Sequence, residues 1–575
     1  MNQETILKQL SRRSFIRNTV IAAAGALILP PAITGCKKED EHPGDNSSFK
    51  EGVASFDPSK DKVILWTRYT PSDGLKLKPS IIVDVAKDKS FKTVVASQSV
   101  EVDTDSDYTV YVDVSGLQSN TKYFYRFRNE NTKAISITGE TKTLPSPGEV
   151  SEVKMAVVSC ANFQAGLFNV YGAVAESEAD VVIHLGDYIY EYGAGSYGSN
   201  PSTLALNRLH KPATEIITLD EYRARYRQYR SDEQLQKAHQ LKPFICVWDD
   251  HEITNNAYKD GAENHQPTEG DYFERKKSAI QVWQEYLPAR VNDNSKIYRS
   301  FEMANLVSLH MLDTRIAGRD KQLEYASYIT STGLNGPKFL ADWQNPQRTI
   351  LGQEQKNWLV SKLNSSTSKW QVLGSQVLMG KMYIPAELLL LIGQIAGGSN
   401  DPSLVTRYKI VVAELVTIKT RILQNDPTLT AAEKSRVQTV LPYNLDAWDG
   451  YPAEREQIFK AAAGKKLISL AGDTHNAWYS DLNDASGKKA GAEFATSSVS
   501  SPGFESIFGN TPESLAQFEQ ANTFLIDDLK YLDASKRGYV MASFTETQAK
   551  AEWRYITTLT SISTATKTDK VAIES

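Results

Sequence analysis

The chain has 575 residues, 41% of them hydrophobic, and a formal net charge of −5 at pH 7. That length supports more than one domain and a large core, and a mildly acidic chain with no basic stripe excludes nucleic-acid binding driven by phosphate contacts. The three cysteines, Cys36, Cys160 and Cys246, form no disulfide framework on their face, and no internal repeat of fixed period is present.

The first residues read as an address. Ser11-Arg12-Arg13-Ser14-Phe15-Ile16 has the form of a twin-arginine export motif, and the apolar residues 20–29 follow it. That run is too short for an ordinary membrane-spanning helix, which needs about 20 apolar residues. Ile33-Thr34-Gly35-Cys36 then resembles a bacterial lipoprotein processing site, with Cys36 lipidated; the alternative is a plain signal peptide with a cysteine near its cut. Residues 1–36 are thus expected to be a twin-arginine lipoprotein signal, and 37–48 a flexible tether. An exported protein on a bacterial membrane, periplasmic or at the cell surface, follows from that reading.

Residues 49–147 predict an all-β unit. Short β-branched and aromatic runs, such as Val63-Ile64-Leu65-Trp66, Ser80-Ile81-Ile82-Val83 and Tyr108-Thr109-Val110-Tyr111-Val112, are separated by turn residues. Lys122-Tyr123-Phe124-Tyr125-Arg126-Phe127 adds an alternating strand, and the spacing suggests a fibronectin-like sandwich.

From residue 151 onward, strands that end in chemically active side chains alternate with helical segments such as 353–363, an α/β pattern. The run Val153 to Val158 closes on Cys160. Val181-Val182-Ile183-His184-Leu185-Gly186 runs into Asp187, with Tyr190 three residues on; a helical turn there would put both on one face. Val247-Trp248-Asp249-Asp250-His251-Glu252 ends another apolar run in carboxylates and a histidine, followed by Asn255 and Asn256. Leu467-Ile468-Ser469-Leu470-Ala471-Gly472 delivers Asp473 and His475, which strand alternation would place on one side. A lone thiol such as Cys160 is ordinarily a small core residue, as Cys246 is expected to be, but four such strand ends together point to a metal centre. Thiolate, phenolate, carboxylate and imidazole suit a Lewis-acidic metal such as ferric iron, and the surplus oxygens suit Ca²⁺, Mg²⁺ or Mn²⁺ beside it. Paired cations make hydroxide available near neutral pH and stabilise a phosphoryl displacement, so phosphoester hydrolysis is the expected chemistry.

These segments, with Leu312-Asp313-Thr314-Arg315, Arg319-Asp320-Lys321-Gln322, Leu351-Gly352-Gln353-Glu354 and Asp446-Ala447-Trp448-Asp449-Gly450-Tyr451-Pro452, resemble the PhoD-like alkaline phosphatases, which are distantly similar to purple acid phosphatases. The resemblance spans roughly residues 52–544. It implies a two-sheet α/β/β/α metallophosphoesterase fold for 151–575, preceded by the β-sandwich. It also implies Fe³⁺ held by Cys160, Asp187, Tyr190 and His475, with Asp187 bridging to Ca²⁺ held by Asp250, Asp473 and Asn256. Zn²⁺, Mn²⁺ or Mg²⁺ occur among related phosphoesterases, and Asn255 is an alternative to Asn256. His251 is expected to protonate the leaving oxygen or to stabilise phosphoryl charge. Arg315 is a candidate phosphate clamp or, equally, a structural salt bridge. A helical stretch at about 386–440 is either a lid or a peripheral insertion. The expected activity is hydrolysis of phosphate mono- and diesters by a monomer. The alternatives are a phospholipase D-like phosphodiesterase and a non-catalytic surface-anchored binding protein.

Overall fold

The computed structural model describes residues 46–71, 79–331, 333–396, 401, 403–508 and 511–575. The export motif, the apolar run 20–29, Cys36 and the tether up to residue 45 lie outside the described residues. Among those described, no helix is long and apolar enough to cross a membrane.

Two large sheets form the body. The larger has nine strands, in the order Thr566–Glu574, Ala549–Ile556, Gly538–Phe544, Val153–Val158, Val181–His184, Pro243–Cys246, Val53–Phe56, Lys62–Arg68 and Thr109–Ser115. The smaller has seven, in the order Arg299–Met303, Val307–Met311, Trp370–Gly374, Lys466–Ala471, Lys489–Ala495, Ala477–Asn483 and Leu529–Asp533. They pack face to face: Val157, Ile183 and Val540 of one share a single apolar core with Leu309, Val372 and Ile468 of the other. Each such side chain, taken fully out of water, contributes about 1.5–3 kcal/mol. These central strands are short apolar runs because both of their faces are covered. Helices Asn169–Glu176 and Glu233–Leu241 pack on the larger sheet, and Gly352–Ser365 and Pro452–Ala461 line the core behind the smaller one.

The β-sandwich has a core of its own, in which Val53, Val63 and Leu65 meet Ile81, Val83, Tyr123 and Tyr125. One of its sheets is separate, with strands Val94–Glu101, Ser80–Ala86, Lys122–Arg128 and Gly139–Lys142. Its other three strands extend the nine-stranded sheet, because Val53–Phe56 pairs in parallel with Pro243–Cys246, Ser55 opposite Pro243. A buried ion pair seals the junction: Arg299 donates to both oxygens of Asp57 at 2.7 and 2.8 Å. Sandwich and α/β body therefore share one continuous sheet.

The stretch expected to be helical contains helices Ala386–Ala396, Ser403–Leu423 and Ala431–Gln438. The Ser/Thr-rich run after Leu559 is irregular, tied down by Asn169, which donates to the carbonyls of Thr558 and Ser561 at 2.8 Å. The final strand begins only at Thr566.

Candidate metal centre

Val153–Val158, Val181–His184 and Pro243–Cys246 run parallel to one another, as do Val307–Met311, Trp370–Gly374 and Lys466–Ala471. Parallel strands deliver their C-terminal ends to one edge, where open α/β sheets place ligands. All seven residues read from the sequence as metal ligands are buried. Donor atoms of five of them, with those of Asp249 and His251, converge in overlapping groups, each within 4.8 Å: Cys160, Asp187 and His475; Asp187, Asp250 and His251; Asp249, Asp250 and Asp473. Asp187 and Asp250 each belong to two groups, so the donors form one continuous patch.

The local route to this convergence differs from the one the sequence suggests. Asp187 and Tyr190 lie on a bend rather than a helical turn, yet the Tyr190 hydroxyl donates to Asp187 Oδ2 at 2.9 Å. Asp473 and His475 are not in an extended strand; both have φ +66°. Cys160, Asn256 and Asp187 are also left-handed, at φ +61°, +53° and +54°. A non-glycine residue in this region is uncommon and costs of order 1–3 kcal/mol. Five of the seven candidate ligands thus sit where the backbone is strained, which strand alternation cannot anticipate. Gly186 and Gly472 are required at the same bends: a Cβ on Gly186 would strike the Asp249 backbone, and one on Gly472 the Ser159 side chain.

Buried hydrogen bonds fix the loops. The Glu252 carboxylate accepts from the backbone N–H of Asp187 at 3.0 Å, Tyr188 at 2.5 Å and Asp249 at 2.7 Å, clamping two strand ends together. The His251 Nδ1–H donates to Glu191 Oε2 at 2.7 Å, which leaves Nε2 to face the site. Glu191 in turn accepts from the Asn255 N–H at 2.8 Å and the Asn264 amide at 2.9 Å. His475 Nδ1 lies 2.9 Å from the Pro502 carbonyl, an acceptor only, so it carries the hydrogen and Nε2 keeps its lone pair. Tyr197 stacks on His475 with its hydroxyl 2.8 Å from the same Nδ1. Glu191 directly follows Tyr190 in the sequence, but neither its role nor that of Tyr197 is readable there, because both act through a residue distant in the chain.

Arg315 is fully buried among carboxylates. Its Nε donates to Asp249, Nη1 lies 2.8 Å from Asp446, and Nη2 lies 2.9 Å from Asp473 and 3.5 Å from Asp250. Each nitrogen is engaged, an arrangement that favours the salt-bridge alternative over a phosphate clamp.

The electrostatics describe a site that demands positive charge. Burial and then the Asp187 charge push the Cys160 thiol and the Tyr190 hydroxyl well above their ordinary values. The same two causes raise Glu252 to about 8, and burial keeps the Asp249 carboxyl raised despite Arg315. For His251 burial opposes the charge, but Glu191, Asp187 and Asp250 outweigh it and lift the imidazole to about 10. Asn255 Oδ1 and Asn256 Oδ1 are both buried with no hydrogen-bond partner, either one placed to accept a cation, and orphaned buried acceptors are rare. Donor types, crowded carboxylates and these orphan oxygens all fit a centre of more than one cation.

Known proteins similar to this chain are phosphatases. Residues 155–553 match the family described as PhoD-like phosphatase, and residues 35–145 match the N-terminal domain of that family. The chain is 33% identical over 526 residues to alkaline phosphatase D of Bacillus subtilis (strain 168), spanning 88% of this chain and 77% of that protein. A solved structure of PhoD superposes with a TM-score of 0.71 at 29% identity, covering 93% of this chain and 91% of the other. A purple acid phosphatase from yellow lupin seeds gives a TM-score of 0.47 at 12% identity, covering 88% of this chain and 71% of that one, too distant to argue from. With its family match running through both sheets and every strand end described above, the chain belongs to the PhoD-like phosphatase family of phosphoric ester hydrolases.

Proposed function

We propose that the protein is an exported, metal-dependent alkaline phosphatase that also cleaves phosphodiesters, with Fe³⁺ at Cys160, Asp187, Tyr190 and His475 and Ca²⁺ at Asp187, Asp250, Asp473 and Asn256. The observation that carries this reading is the overlap of three buried donor groups through Asp187 and Asp250. The mixed donors around Cys160 favour a transition metal, whereas the all-oxygen set favours a hard cation. When bound, such a pair neutralises phosphoryl oxygens and activates water for attack.

The remaining roles fall to the chain's own side chains. Glu191 holds Nδ1 of His251, so that Nε2 can deliver a proton to the departing ester oxygen. Arg315 serves as an internal counter-ion that fixes Asp249 and Asp473. Residues 1–36 direct export, and Cys36 carries a lipid anchor; acyl mass on the mature N-terminus, lost in Cys36→Ala, is the expected sign.

The deciding experiment is metal analysis and a visible spectrum of the purified mature protein. About one iron per chain plus calcium, with a tyrosinate-to-iron band, supports the assignment. Zinc or manganese without a band overturns the ferric site, and metal-free active protein overturns the whole reading. The ratio of rates on mono- and diester chromogenic substrates ranks the two ester classes.

A further inference from the structure

Residues 496–502, Thr-Ser-Ser-Val-Ser-Ser-Pro, run beneath one side of the metal centre. The Val499 N–H donates to the Ser159 carbonyl at 2.9 Å, and the Ser500 and Ser501 N–H groups reach the Cys160 carbonyl at 3.4 and 3.3 Å. The Ser498 N–H reaches the His475 carbonyl at 3.4 Å, and the Pro502 carbonyl receives the His475 Nδ1–H. The segment thus braces Cys160 and His475 through the backbone. One side chain goes further: the Ser501 hydroxyl, fully buried, lies 2.7 Å from the Tyr190 oxygen and 3.0 Å from the Cys160 carbonyl.

Three groups surround the Tyr190 oxygen: Asp187 Oδ2 at 2.9 Å, His475 Nε2 at 3.1 Å and Ser501 Oγ at 2.7 Å. A phenol oxygen that ligates a cation has lone pairs to share and no proton to give. The Asp187 carboxylate can only accept, and the Pro502 carbonyl fixes the His475 tautomer with its hydrogen on Nδ1. Ser501 is therefore the one neighbour in this set that can donate to a coordinated Tyr190. It has a single hydrogen for two acceptors, and the charged oxygen wins because charge-assisted bonds are shorter and about twice as strong as neutral ones.

We propose that Ser501 is a positioning residue of the metal centre: its hydroxyl donates to the Tyr190 oxygen, draws electron density from that ligand and fixes its orientation. The inference rests on the ferric reading of the Cys160, Tyr190 and His475 corner. Groups that hydrogen-bond to the ligands of a metal site orient those ligands, and their loss typically changes metal affinity or activity by about 10–100-fold.

The test is the visible spectrum and iron retention of the holoprotein in four forms: wild type, Ser501→Ala, Ser501→Thr and Ser500→Ala. Without the serine hydrogen, the phenolate becomes a better electron donor, so the tyrosinate band of Ser501→Ala moves to longer wavelength. Its iron is lost to a competing chelator at about 10-fold lower chelator concentration. Ser501→Thr keeps a hydroxyl and restores both properties. Ser500→Ala leaves the band in place, because the Ser500 hydroxyl donates to the Asn162 carbonyl at 2.8 Å. An unmoved band in an iron-loaded Ser501→Ala overturns the inference and leaves the ferric site standing. Equal shifts in Ser500→Ala and Ser501→Ala, or iron loss in both Ser501 variants, also overturn it, by showing general loosening of the segment. A wild-type protein with no tyrosinate band overturns the ferric reading and this inference together.

Discussion

Around Cys160, Tyr190 and His475 the supporting groups are neutral: a serine hydroxyl, a proline carbonyl and the Tyr197 ring. Around Asp249, Asp250 and Asp473 the support is a full positive charge, the guanidinium of Arg315, backed by Arg319 on Asp446 at 2.6 Å. The carboxylate corner is thus partly balanced by a permanent charge, whereas beside the thiol and phenol the balancing charge sits on a titratable group, the His251 imidazole, packed 4.2 Å from the Tyr190 ring and lifted to about 10.

The comparison breaks hardest at the residue the two corners share. Asp187→Ala should abolish hydrolysis by several orders of magnitude and empty both positions, as measured by elemental analysis; retention of one full equivalent of either metal would mean the corners are independent. Next in size, His251→Gln and Glu191→Gln should each slow esters with poor leaving groups by about 10²–10⁴-fold while sparing activated aryl esters. Their double variant should be no slower than either single one, since the pair acts as a unit. An effect of equal size on all leaving groups would assign Glu191 a purely structural part.

Arg315→Met sharpens the contrast, because it strips only the carboxylate corner. Removing one member of a buried ion pair costs about 3–5 kcal/mol, so denaturant unfolding of the metal-free protein should show a loss of that size. The tyrosinate band of the loaded protein should persist; its disappearance would show that both corners depend on the guanidinium. The smallest effect lies away from the site. Burial lifts Glu493 to about 7, although it accepts N–H bonds from Met379 and Gly380 at 2.6 and 3.0 Å. Its folded value exceeds the ordinary 4.5, so its contribution is complete below that pH and is lost as pH rises through 7. The thermal midpoint of the metal-free protein should fall between pH 6 and pH 8.5, and Glu493→Gln should make that slope shallower, the remainder coming from Glu252.

Much of the centre was legible because metal-competent side chains end strands, and strand ends are visible as apolar runs that stop. Cys160, Asp187, Asp250 and Asp473 announce themselves this way. What stayed hidden depends on contacts across the fold. The tyrosine and serine that brace His475 and Tyr190 lie on loops remote in sequence, and Arg315 could not be sorted between clamp and counter-ion without its four carboxylate neighbours. The left-handed bends at Asp473 and His475 were invisible for a related reason: surrounding packing imposes them against local preference. The sandwich strands could be read one by one, but parallel pairing of Val53–Phe56 with Pro243–Cys246 joins distant segments and leaves no local periodicity to detect.

That pairing also orders events as the chain emerges. Residues 53–56 are made early, yet their neighbour at 243–246 comes only after the Asp187 strand and four helices have been synthesised. Until then one margin of the nascent sandwich exposes unsatisfied backbone groups, the kind of edge that invites mispairing, and long-range closure of this sort is slow. A fragment ending near residue 147 would carry that raw margin permanently, so the amino-terminal unit matures only when the strand that precedes Asp250 arrives to complete it.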